Sequence, residues 1–204
     1  MRPKRFTYTL IALDADGYLT TTEGTGAGPW ATFLAQPGDG CSHPVTIGSA
    51  ADLSGITFTI TGTDAEDRTI SETITGPNIA TVTSVKYYAT VTSLSASSTV
   101  GANTFTLGWT ALAHTPIYPV DRFSTSPAVL AVDIGGAVTY SGQCTHGNVY
   151  ELASDTLQFV NLIDMAALAA DSSIGVAQHG ATGLRVYVAS HTSGTLALTY
   201  SQAK

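Results

Sequence analysis

Two neighbouring stretches of strict alternation constrain this chain more than anything else in it. In ITFTIT, residues 56–61, Ile56, Phe58 and Ile60 fall on one side of an extended chain and Thr57, Thr59 and Thr61 on the other. In TISETIT, residues 69–75, Ile70 and Ile74 oppose Thr69, Ser71, Thr73 and Thr75. A period of two in β-branched residues reads as a half-buried antiparallel hairpin, not a helix. For both apolar rows to share a face, paired residue numbers must sum to an even value, so the connection holds an odd number of residues. That predicts a bulged turn in place of a tight two-residue one. Glu72 falls on the apolar row and needs an edge or a polar partner.

The connection carries Asp64, Glu66, Asp67 and Arg68. A dedicated Ca²⁺ loop would need more oxygen ligands at fixed offsets and a glycine for the sharp turn, and the EF-hand spacing is absent. A glycosidase built from Asp64 or Glu66 with Glu72 would need two carboxyl groups held about 5–9.5 Å apart, for which a hairpin tip is a poor support. We read a solvated hairpin end, with Asp67 suited to a left-handed conformation and Arg68 limiting the repulsion.

Further alternating runs lie at residues 6–12, 87–94, 103–109, 128–134, 137–143, 184–190 and 195–201, with GG at 135–136 and HTSG at 191–194 as hairpin turns. Many short strands at regular spacing predict an all-β fold of antiparallel β-sandwich lobes, jelly-roll or Ig-like. One short helix is expected near 161–170, where Leu162, Met165 and Leu168 follow Asn161 at helical spacing. Three prolines make 114–127 a linker between an N-terminal β lobe, 1–113, and a C-terminal β lobe, 128–204; the Gly- and Pro-rich residues 21–55 are expected to form a long loop.

Only 11% of the residues are charged, against about 25% in an average domain, and the net charge is −7. Polarity comes from hydroxyls, which suits pleated strands and surfaces that other subunits cover. Without a basic stripe the chain is not a general nucleic-acid binder. Its opening, MRPKRFTYTLIALDADGYL, has no unbroken apolar run of the secretory kind, and no stretch approaches the ~18 apolar residues of a membrane span, so cytoplasmic synthesis is expected.

Few residues in the chain form a recognisable chemical constellation. Cys41-Ser-His43 and Cys144-Thr-His146 repeat a Cys-x-His spacing that on strands puts each pair on one face, a weak Zn²⁺ candidate set lacking the usual spacings. A Cys41–Cys144 disulfide is the other option, and unpaired thiols are the simplest reading in a reducing compartment. There is no G-x-S-x-G, H-E-x-x-H or P-loop, and His114, His179 and His191 fall in expected turns. No catalytic residue and no cofactor is assigned.

Residues 52–103 contain TGTDAEDRTISET (61–73), GP (76–77), TVTS (81–84) and VGAN (100–103). This texture resembles a module of tailed-bacteriophage virion proteins of the head and neck, and the stretches at 138–151 and 184–202 look like the C-terminal β region of similar proteins. The pattern usually has glycine where this chain has Asp67. The resemblance implies a non-enzymatic virion component, an accessory subunit that bridges and stabilises capsid or head-tail proteins. Its partners would be other virion proteins and copies of itself, and it would be assembled in the host cytoplasm. The alternative is a carbohydrate- or host-surface-binding β-sandwich module of the virion.

Interface candidates follow from the residues. Arg2, Lys4 and Arg5 form the only basic cluster, and Phe6 and Tyr8 belong to a segment, 1–12, that alternates well enough to add a strand to a neighbour's sheet. Trp30, Phe33, Tyr118 and Phe123 are aromatic residues outside the expected strands, either interface anchors or plugs of the lobe ends.

Overall fold

Alternation of β-branched and apolar residues becomes strand almost everywhere in this chain. The computed structural model describes residues 3–21, 24–26, 28–121, 127–150, 156–162, 164–176 and 181–202; for 173–176 and 193 it describes the backbone alone. The first strands are β1 (Lys4–Leu10), β2 (Asp14–Leu19), β3 (His43–Gly48), β4 (Thr57–Thr63), β5 (Thr69–Thr75), β6 (Thr81–Tyr88) and β7 (Thr90–Ala96). The rest are β8 (Thr106–Trp109), β9 (Ala113–His114), β10 (Tyr118–Pro119), β11 (Ala128–Thr145), β12 (Phe159–Asn161), β13 (Ser172–Val176) and β14 (Gly183–Gln202). The fold is all-β and antiparallel, as expected from the sequence.

The chain divides into two compact units. Residues 13–38 and 42–110 form one; residues 1–12, 39–41 and 111–204 form the other. This differs from the division expected at 114–127: β1 belongs with the C-terminal strands, and β9 and β10 pair with β14. Arg122 to Ser126 lie outside the described residues.

The unit of residues 13–38 and 42–110 is a sandwich of a four-stranded sheet, β2-β8-β3-β6, and a three-stranded sheet, β5-β4-β7. The chain steps from β6 in one sheet to β7 in the other through Ala89. Between the sheets Phe58 meets Phe105 edge-on at 5.2 Å, with Val45, Ile47, Ile60, Tyr88, Leu94 and Leu107 fully buried around them. Burying each such side chain is worth about 1.5–3 kcal/mol. Residues 21–55 are not one long loop, because β3 within them is buried and lies between β8 and β6. Pro44 disguised it: the β3–β6 register shifts between Pro44 and Thr46, where an irregular ladder tolerates a missing amide hydrogen.

The other unit is built on two very long strands. β11 and β14 pair from Ala128↔Gln202 to Thr145↔Gly183, with irregularities near Val138 and Thr139. Gly135-Gly136 and His191–Gly194 are therefore not hairpin turns; they face each other across this ladder, Gly136 opposite Gly194. A Cβ on Gly194 would sit 2.4 Å from the Gly135 carbonyl oxygen, so the strands approach here closer than a side chain permits. On either side of that point different strands flank the pair: β1 and β13 on one half, β9, β10 and β12 on the other. Both halves feed one apolar cluster that contains Leu130, Val132, Leu196 and Leu198 as well as Tyr140, Val186 and Val188.

No helix forms at 161–170 among the described residues; Ile163 lies outside them. Leu162 and Met165 are buried as the spacing implied, but apart from one turn bond, from the Met165 amide to the Leu162 carbonyl, the backbone bonds to β11. Leu162 donates to Gly142, Gly142 donates to Met165, and Tyr140 and Leu168 exchange both bonds. A neighbouring strand satisfies these groups without the cost of nucleating a short helix.

Candidate functional site

The sheet β5-β4-β7 sorts its side chains by chemistry. Phe58, Ile60, Ile70, Val91 and Leu94 are buried in the sandwich. The opposite face carries three cross-strand rows of hydroxyls: Thr73–Thr59–Ser95, Ser71–Thr61–Ser93 and Thr69–Thr63–Thr90. Oγ1 of Thr59 lies 2.8 Å from that of Thr73, the Thr61 hydroxyl 3.3 Å from that of Ser71, and Thr63 Oγ1 2.7 Å from Thr90 Oγ1. Ser71 also donates to the Ile60 carbonyl and Thr92 to that of Thr61. Cross-strand hydroxyl pairs of this kind stabilise a sheet by roughly 0.2–1 kcal/mol each. Because six of these nine hydroxyls, those of Thr59, Thr61, Thr63, Ser71, Thr73 and Thr90, already have partners, and none of the nine is charged, covering this face costs far less than covering charges.

The acidic connection beside this face is a five-residue turn between Thr63 and Thr69, the odd length that the shared apolar face requires. Asp67 takes φ 60°, the left-handed conformation. Asp64, however, is not solvated: it is buried, and its Oδ1 accepts the amide hydrogens of Glu66 at 3.0 Å and Arg68 at 2.9 Å. It holds the turn together from inside. The corrected reading is an internally braced turn, with Asp67 exposed and Glu66 and Arg68 half-buried.

Glu72 finds the partner that its place on the apolar row demands. Its two carboxylate oxygens accept the amide hydrogens of Val85 (2.9 Å) and Lys86 (2.8 Å) on β6, in the other sheet of the sandwich. These residues lie where β6 bulges away from β3. Ser84 closes the remaining gap, accepting from the Val45 amide and donating to the Lys86 carbonyl.

The described aromatic interface candidates pack against this chain's own residues. Trp30 forms a bridge with Leu94 and meets Phe105 edge-on at 5.0 Å; Phe33 lies 5.8 Å from the Tyr18 ring. Both are half-buried. Tyr8 and Tyr118 are buried, with their hydroxyls 2.5 Å apart, and Phe6 packs on Tyr118 at 5.0 Å. The strand expected to reach a neighbour instead pairs over its whole length with this chain's own β14. Lys4 and Arg5 are exposed, and Arg5 meets Asp133 at 3.2 Å. Arg2 and Phe123 lie outside the described residues, as does His179.

Cys41 and Cys144 are free thiols in one buried apolar cluster. Burial pushes both thiol pKa values up, and the Asp39 charge adds to the effect at Cys41. His43 is buried and its Nδ1 donates to the Thr110 carbonyl at 3.1 Å, while His146 is exposed. Among the described residues no three His, Cys, Asp or Glu side chains converge as metal ligands would.

Two polar devices carry no sequence signal. Gln36 bonds both ways with the backbone of Val91, filling a gap where β7 bulges at Thr92. Arg185 on β14 is buried; its guanidinium stacks 3.4 Å over the Phe159 ring and its Nε donates to Gln143, which in turn donates to Asn161. Both depend on neighbours far away in sequence. Compared with known protein families, with curated proteins and with solved structures, the chain matches none.

Proposed function

We propose that this chain is a non-enzymatic structural component of a tailed-phage virion, an accessory subunit that bridges and stabilises capsid or head-tail proteins. The observation that carries the proposal is the coincidence of two features in one segment. Residues 52–103 bear the resemblance to virion modules, and within them β4, β5 and β7 assemble the uncharged hydroxyl face. A face of largely self-partnered hydroxyls on a stiff sheet suits repeated contact between subunits: it presents no charge to desolvate and loses little side-chain freedom when covered. Its partners are neighbouring shell or neck subunits and copies of this chain.

The test places charge on the face without touching the core. Thr73 and Ser95 are exposed and flank Thr59. A Thr73→Lys, Ser95→Lys variant is expected to stay folded, losing no more than the roughly 0.2–1 kcal/mol of the Thr59–Thr73 pair, and to be lost from purified particles. Wild-type occupancy of particles by a folded variant would reject the proposal.

A further inference from the structure

A cavity of about 500 Å³ lies at the end of β11 and is lined by Val120, His146, Gly147, Asn148, Val149, Tyr150 and Thr182. Its polar side chains come mostly from one short segment that the fold holds firmly. Val149 is buried in a small cluster with Ile117 and Leu157. The Thr182 hydroxyl bonds to the carbonyls of Thr145 and Gly147, the Gly147 amide bonds to Thr145 Oγ1, and the Tyr150 amide bonds to Asn148 Oδ1. The segment is thus braced along its length, which fixes where its side chains project.

The His146 imidazole, the Asn148 NH₂ group and the Tyr150 hydroxyl make no hydrogen bond to the described residues, and Tyr150 is 74% exposed. Imidazole and phenol each donate and accept, and the amide donates. Among the described residues no Asp, Glu, Lys or Arg lines the cavity, so they offer no countercharge to an ion of either sign, and the net charge of −7 disfavours anions further. A concave site of this volume with a few convergent polar groups and one exposed ring is of the size that holds a small ligand.

We propose that this cavity binds a neutral saccharide of one or two units. Vicinal hydroxyls match amphiprotic His and Tyr groups and the amide donor, and the apolar face of a pyranose covers the Tyr150 ring. The cavity belongs to the unit of β11 and β14, not to the one that carries the hydroxyl face, and the proposal does not depend on the assembly reading.

The experiment titrates the full chain with glucose, galactose, mannose, N-acetylglucosamine and their β-linked disaccharides, following amide chemical shifts. One of these sugars is expected to bind with a Kd of about 1 mM, shifting the amides of residues 146–150 and Thr182. Tyr150→Ala, at an exposed position, should weaken that binding about tenfold through the lost ring contact. Asn148→Asp, which keeps the oxygen that accepts the Tyr150 amide and removes the free donor, should weaken it with the fold intact. No shift at residues 146–150 with any of these sugars would overturn the proposal, as would equal binding of inorganic phosphate or an affinity unaffected by Tyr150→Ala.

Discussion

Glu72 on β5 grips the backbone of Lys86 on β6, one carboxylate oxygen taking the Lys86 amide and the other the amide of Val85. This single side chain ties the two sheets of the sandwich together at the bulge, where the β3–β6 ladder leaves amides unpaired. Glu72→Gln keeps one acceptor and turns an NH₂ group toward the other amide. The expected loss is about 1–2 kcal/mol, because charge-assisted bonds become neutral and one amide loses its acceptor. A urea midpoint equal to that of the wild type would show that water serves these amides equally well.

Asp64 plays the corresponding part in the acidic turn. Asp64→Asn retains an oxygen for the Glu66 and Arg68 amides and should cost little, whereas Asp64→Ala leaves both without that acceptor in a buried setting. The alanine variant is expected to lose about 2 kcal/mol and to show faster hydrogen exchange at the Glu66 and Arg68 amides. Equal stability of the two variants would contradict a bracing role.

β1 is a strand of this chain's own sheet, so its removal should be felt in the isolated protein. Deleting residues 1–12 strips the edge of β14 over Gly194–Tyr200 and takes Tyr8 and Leu10 from the core. The truncated protein is expected to aggregate or to unfold without cooperativity, since it exposes a long unpaired strand edge. Tyr8→Phe is the mild counterpart: it removes the hydroxyl bonded to Tyr118 and should cost about 1 kcal/mol. A truncated chain with wild-type thermal stability would restore the picture of a free arm.

Alkaline pH should destabilise the fold. Burial raises the pKa values of Cys41, Cys144, Tyr140 and Tyr200 above the ordinary 9.0 for a thiol and 10.0 for a phenol. The unfolded chain therefore releases these protons at lower pH than the folded one. Their contribution is complete below the thiol value of 9.0 and is lost as pH rises through the folded values. Urea midpoints should be level near about pH 8 and fall toward about pH 11, and native thiols should resist thiol reagents until denaturant is added. A Cys41→Ala, Cys144→Ala variant should move the onset upward toward the tyrosine range; an unmoved onset would argue against the thiols.

Parts of this were readable from residues alone, for a physical reason that particular positions make plain. The pairing of β4 with β5, its odd connection and the need of Glu72 for a partner all follow from a period of two and from the cost of burying a charge. Both are local rules. The hydroxyl face follows from the same alternation, although its third strand, β7, joins it visibly only once Ser93 and Ser95 are in register with Thr61 and Thr59.

What the chain by itself determined, then, was extended antiparallel structure with hydrocarbon on one side and hydroxyls on the other. The tertiary structure decided the rest. Gly135-Gly136 and His191–Gly194 suit a turn and a bend equally well, because glycine permits both. Only the facing register of β11 and β14 selects two long strands over two hairpins. Leu162, Met165 and Leu168 suit a helix until β11 offers their backbone partners, and Pro44 argues against a strand until β8 and β6 flank it. In each case sequence-local preferences were nearly balanced, and hydrogen bonds to residues distant in the chain tipped them.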